Sequence, residues 1–128
     1  MKFENKILLI PVLVFICCTT VEARQIRSFN NFAINGRTFE RTDYLTKENN
    51  YGYVLNLNPC RDLSPNKVRF RLVNSNGQVR SNEYFLECGQ RGAYADWATP
   101  GYIYALEMKR ENFFDFTMRI TGSWSPDE

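Results

Sequence analysis

Histidine is absent from all 128 residues, and with it go Ser-His-Asp triads, Cys-His pairs and every histidine-bearing metal site. Net charge is small: 16 basic and 14 acidic side chains give +2. That falls short of the basic surplus that marks a nucleic-acid-binding domain, so nucleic acid is not expected as a partner. Long apolar runs are missing too. The longest, Ile7–Cys18, has 12 residues, whereas a helix needs ~20 to cross a bilayer. Four cysteines without C-x-x-C spacing leave no redox motif and no metal cluster, so neither a metal nor another cofactor is expected. No repeat, low-complexity tract or linker divides the chain, and its length suits one domain.

What is present begins with a leader pattern. Two lysines within Met1–Lys6 precede the apolar run, and Val21 and Ala23 follow it at the −3 and −1 positions of a cleavage site, where signal peptidase requires small residues. The pattern predicts a cleaved secretory signal peptide over residues 1–23 and a secreted, extracellular domain over 24–128, with no transmembrane segment in the mature chain. Cleavage removes Cys17 and Cys18 and leaves Cys60 and Cys88 in an oxidising compartment. Their one possible pairing closes a loop of 29 residues, worth about 3–4 kcal/mol by chain entropy.

From Arg24 onward no window repeats apolar residues at helical spacing, whereas strict alternation recurs. Tyr51, Tyr53, Leu55 and Leu57 form one such face, and Val68, Phe70 and Leu72 another, with Lys67, Arg69 and Arg71 opposite. Tyr102, Tyr104, Leu106 and Met108 repeat the pattern, as do Phe114, Phe116, Met118 and Ile120. Each run has one wet side, as antiparallel sheets do. The chain therefore reads as all-β, a two-layer antiparallel β-sandwich of about seven strands, with a small barrel as the alternative. The expected strands are 28–34, 37–42, 51–58, 67–73, 79–88, 102–109 and 113–121, with Ala93–Trp97 as a short eighth.

Turn chemistry sets the expected connections. Asn35-Gly36 predicts a two-residue hairpin that places Phe32 opposite Phe39. Ser75-Asn76-Gly77 predicts a three-residue loop with the glycine left-handed, pairing Val68 with Tyr84 and putting Tyr84, Leu86 and Cys88 on the face of Phe70. Thr99-Pro100-Gly101 presets a type II turn, and Arg110-Glu111-Asn112 is expected to turn the last hairpin.

Few residues offer chemistry. Ser64-Pro65-Asn66-Lys67 matches the S-x-x-K pattern of penicillin-binding-protein relatives, but there the serine opens a helix so that serine and lysine face each other. Here a proline interrupts the tetrapeptide and a strand follows it, and no S-D-N or K-T-G follows. Acidic pairs drawn from Glu83, Glu87, Asp96, Glu107 and Asp115 fall mostly on polar strand faces, so catalysis is not expected. Arg69 and Arg71 share the outer face of one strand. Guanidinium forks suit phosphate or sulfate, making these two candidate contacts for an anionic polymer, with an ordinary Arg69–Glu83 cross-strand pair as the alternative. Trp97 and Trp124 lie outside the clear strands, and whichever of them is exposed is a candidate contact residue, because large apolar groups at loop positions usually need a reason.

Asp43-Tyr44-Leu45-Thr46-Lys47, Asn50-Tyr51 and Leu55-Asn56-Leu57-Asn58-Pro59-Cys60-Arg61 resemble, over about twenty residues, the opening of mannose-6-phosphate-receptor homology domains, secreted β-structures that bind sugars. That family carries further cysteines in its second half and this chain has none after Cys88, so no residue role is transferred. The functional expectation is a small secreted non-catalytic protein that binds a surface, an anionic polymer, or a secreted or cell-surface protein. The alternative is an antagonistic effector: an antimicrobial or toxin-like protein, or an enzyme inhibitor presenting Gly89-Gln90-Arg91-Gly92 as its loop.

Overall fold

The computed structural model describes residues 24–60 and 66–128. The expected leader and the Ser64-Pro65 half of the S-x-x-K tetrapeptide lie outside the described residues. The rest is all-β, with nine strands: β1 Arg27–Ile34, β2 Glu40–Arg41, β3 Leu45–Thr46, β4 Tyr53–Leu57, β5 Lys67–Asn74, β6 Tyr84–Glu87, β7 Arg91–Tyr94, β8 Ile103–Arg110 and β9 Met118–Ser125. They form two antiparallel sheets that do not close into a barrel, in the orders β1-β9-β4-β7 and β2-β8-β5-β6, with β3 also pairing β8. No helix among the described residues is long and apolar enough to cross a membrane.

The alternation read from the sequence packs the two layers together. Val68, Phe70 and Leu72 of β5 and Tyr104, Leu106 and Met108 of β8 meet Tyr53, Leu55 and Leu57 of β4 and Met118, Ile120 and Trp124 of β9 in one buried cluster. Tyr53, Phe70, Tyr84 and Tyr94 cluster between the sheets, with Phe70 edge to face with Tyr94 (ring centroids 4.7 Å apart) and with Tyr53 (6.2 Å). Rings in this geometry gain quadrupole attraction beyond their burial. The Tyr53 hydroxyl donates to Ser81 Oγ (2.9 Å), which also accepts the Leu72 amide and donates to the Asn82 carbonyl. Burial raises the Tyr53 phenol pKa well above its ordinary value, so that donor keeps its proton. Cys60 and Cys88 are joined in a disulfide beyond the ends of β4 and β6.

Several expected connections are replaced. Asn35-Gly36 is not a hairpin. β1 pairs with β9, Phe32 opposite Ile120, and the chain then crosses to the other sheet, where Glu40 pairs with Met108. Asn35 Oδ1 accepts the Arg37 and Thr38 amides, making the corner an Asx turn. Gly36 lacks the positive φ of a type I′ turn. Its missing side chain serves close approach, since a Cβ there would lie 1.8 Å from the Asn112 carbonyl oxygen. The last hairpin is replaced in the same way: β8 and β9 belong to different sheets, so residues 111–117 cross between layers. Phe114 and Phe116, expected in the core, stand on that crossing exposed.

The Gly77 turn forms as predicted, with φ of +78° and Asn74 bonded to Gln78. Beyond it, Val73 bridges Val79, whereas Phe70 rather than Val68 pairs with Tyr84. Residues 81–83 absorb this two-residue slip as Ser81 Oγ takes the Leu72 amide. A slip of two preserves the face of every side chain, so Leu86 still points inward. Gly101, with φ of +95°, fits the predicted Pro-Gly turn.

Candidate functional site

The sequence-predicted residues separate. Trp124 is not a contact residue: it lies on β9, paired with Arg27 and Leu55, 1% exposed and part of the core. The glycine at 122 and polar residues at 121 and 123 hid this strand's continuation from its apolar pattern. Its indole N–H has no hydrogen-bond partner among the described residues. Arg69 and Arg71 do share the outer face of β5, but their charge is taken up. Glu107 of β8 accepts from Arg71 Nε (2.9 Å) and from Arg41 NH2 (2.7 Å). Glu83 lies 3.4 Å from Arg69 and 3.5 Å from Arg71. The Arg71 guanidinium also rests 4.0 Å above the Phe39 ring, and Arg69 stacks on Phe85. This face is a chain of ion pairs with aromatic lids, the cross-strand alternative extended over three strands.

Trp97 is 56% exposed, and it is held. The Tyr84 hydroxyl donates to the Ala95 carbonyl, the Trp97 amide to the Arg80 carbonyl and the Ala98 amide to Asp96 Oδ1. Tyr104 OH accepts the Thr99 amide and donates to the Thr99 carbonyl, and the Gly101 amide donates to Lys47 O. The loop that presents Trp97 is thus pinned at nearly every residue, which removes the ordering cost a mobile loop meets on binding.

Beneath it lies the one arrangement that sequence pattern did not reveal. Lys47, fully buried, donates from Nζ to the carbonyls of Tyr51 (2.5 Å) and Pro126 (2.6 Å). The same ammonium is 3.3 Å from Asp96 and 3.9 Å from Asp127. Asp127 in turn accepts the Glu48 and Asn49 amides, so the C-terminal segment is tied inside. Desolvation raises the Asp96 carboxyl pKa above its ordinary 3.8, against the opposing pull of the Ala98 amide and Lys47. Tyr51 and Tyr102, expected in the core with their alternating neighbours, are instead 68% and 65% exposed. Both touch this centre by backbone: Tyr51 through its carbonyl, Tyr102 through a bond from the Lys47 amide. Three exposed aromatics therefore radiate from one buried ion cluster.

Beside Tyr102 runs an open groove of about 490 Å³ between the Asn74–Arg80 turn and the Thr99–Tyr104 segment. Its lining is amide, hydroxyl and aromatic: Asn76, Gln78 and Arg80 on one side, Thr99, Tyr102 and Ile103 on the other. A smaller cleft of about 210 Å³ lies at the open side of the sandwich by Phe29 and Trp124. Its arginines are both paired, Arg27 with Asp43 at 2.7 Å and Arg41 with Glu107. The Gly89-Gln90-Arg91-Gly92 segment is bonded into the sheet: Gly89 and Gln90 are bonded to Leu57, and Arg91 and Gly92 belong to β7. Among the described residues no three cysteine, aspartate or glutamate side chains converge in a metal-binding group.

Comparison of the chain with protein-family models, with curated proteins and with solved structures finds no match in any of the three.

Proposed function

We propose that the chain is exported and acts outside the cell as a non-catalytic binding protein, and that its partner is a saccharide polymer laid along the groove beside Tyr102. The observation that carries this reading is the pinned loop with Trp97 and Tyr102 exposed at its two ends. An aromatic ring packs its face against the C–H face of a sugar, and amides such as Asn76 and Gln78 offer both donors and acceptors to hydroxyls. An open groove on a rigid scaffold admits an extended chain without rearrangement.

The protein carries two tryptophans, one exposed and one buried, which makes fluorescence the direct test. Acrylamide should quench Trp97 and spare Trp124. A bound oligosaccharide should protect Trp97, and Trp97→Phe should abolish the ligand-dependent change. Unaltered quenching across a panel of soluble glycans would overturn the proposal. Intact-mass measurement of the exported protein should find a chain starting near Arg24.

A further inference from the structure

Along the ion-pair face and the open-side cleft, Arg27, Arg41, Arg69 and Arg71 lie against carboxylates, and Lys109 lies over the Phe39 ring. The groove differs. Arg80 is the one charged side chain among its described lining residues. Among the described residues its guanidinium bonds only neutral acceptors, the Val79 carbonyl through NH1 (2.9 Å) and Gln78 Oε1 through NH2 (3.1 Å). Of the five guanidinium N–H groups, these two bonds leave three for a ligand. Gln78 is itself oriented, because Asn74 Nδ2 donates to the same Oε1 (3.0 Å). The Arg80 backbone is fixed on both sides, its amide donating to Leu72 O and its carbonyl accepting the Trp97 amide.

We infer that the groove is selective for an oxyanion-bearing saccharide, its carboxylate or sulfate meeting the Arg80 guanidinium while the ring beside it packs on Tyr102. This rests on the saccharide reading above and names its ligand class. An oxyanion on a guanidinium forms short, charge-assisted bonds, and planar carboxylate and tetrahedral sulfate can both take two parallel ones. A groove serving a neutral glycan needs no charge. An arginine left without an acid beside it attracts one from the ligand, and the partly desolvated position strengthens that contact relative to a surface pair.

The test uses the full chain and three oligosaccharides of matched length: a neutral glucan, an oligogalacturonate and a sulfated glucan, titrated by calorimetry at low and high salt. At least one anionic ligand should bind about tenfold or more tighter than the neutral one, and the advantage should shrink with salt. Arg80→Gln should remove the anionic advantage and leave neutral binding in place, whereas Tyr102→Ala should weaken all three together. Whether galacturonate or the sulfated glucan leads identifies the anion. Equal affinity for neutral and anionic ligands, or an anionic preference that survives Arg80→Gln, overturns the inference while leaving the saccharide reading intact. Binding of none of the three overturns both. A thermal melt of Arg80→Gln matching the parent confirms that any loss is one of contact and not of folding.

Discussion

The two ends of the sandwich both display aromatic side chains and hold them by opposite means. At one end, where β5 and β8 meet the loops at 47–52, 74–80 and 95–102, a buried ammonium and two carboxylates tie residues 47–51, Asp96 and the Pro126-Asp127 segment together from inside. At the other end the disulfide joins the segments after β4 and β6, and the 111–117 crossing carries Phe113, Phe114 and Phe116 outward. Tyr51, Trp97 and Tyr102 stand over polar backbone and a polar groove, whereas the phenylalanines offer no hydrogen-bonding atom of their own. Phe113 and Phe114 pack on each other at 5.0 Å, and Arg37 covers Phe113. The rings of the first end stand beside amide and hydroxyl side chains with one arginine, and those of the second beside Asn35, Arg37, Asp115 and Thr117, so the two ends differ chiefly in how the backbone beneath the rings is held.

The comparison breaks first at its foundations. Lys47→Met removes the ammonium and leaves Asp96 and Asp127 buried side by side. Stranding buried charge in this way costs about 3–5 kcal/mol, so the urea midpoint should fall steeply and the Trp97 loop should lose hydrogen-exchange protection first. At the other end, Cys60→Ser with Cys88→Ser releases the 29-residue loop and should cost about 3–4 kcal/mol, with exchange rising around residues 58–60 and 88–90 while the Lys47 end keeps its protection. Equal loosening of both ends in either variant would show that they are not held independently.

A finer test is pH. Because burial raises the folded-state pKa of Asp96 above 3.8, the folded chain holds that proton more tightly than the unfolded chain. The stability owed to this group is fully present below pH 3.8 and is lost as pH rises through the folded value. The parent protein should therefore gain stability relative to Asp96→Asn as pH falls toward 3.8, and a constant difference between the two would show that the pull of the Ala98 amide and Lys47 offsets the burial of Asp96. The smallest effect is expected where exposure is greatest. Phe114 and Phe116 are 80% and 86% exposed, so Phe114→Ser and Phe116→Ser should each change stability by no more than about 0.5 kcal/mol. A larger loss would place these rings in a contact that the fold does not show.

How far the sequence could be read depended on how far apart the interacting residues are. The inward faces of β4, β5 and β8 follow from alternation alone, and the Gly77 turn and the Pro100-Gly101 turn follow from residues that adjoin each other. Asn35-Gly36 misled because its local hairpin preference competes with a β1–β9 pairing between residues more than 80 positions apart, and the long-range ladder wins. Trp124 and Phe116 exchanged roles for the same reason. Whether β9 begins at 113 or at 118 is set by where the chain finishes crossing between sheets, and the apolar pattern is silent on that. Lys47 left no trace, since one lysine in a polar segment reads as solvated until Asp96 and Asp127, 49 and 80 residues on, are folded around it.

By itself the sequence determined the all-β class and the antiparallel faces, because these follow from side-chain period and turn chemistry acting over a few residues, and the disulfide, because Cys60 and Cys88 are the only cysteines that follow the expected leader. Tertiary structure alone decided which arginines are neutralised, which tryptophan is buried and which loops converge on Lys47. Those are properties of strand order, and strand order is settled by the burial of two facing layers at once rather than by any segment of chain.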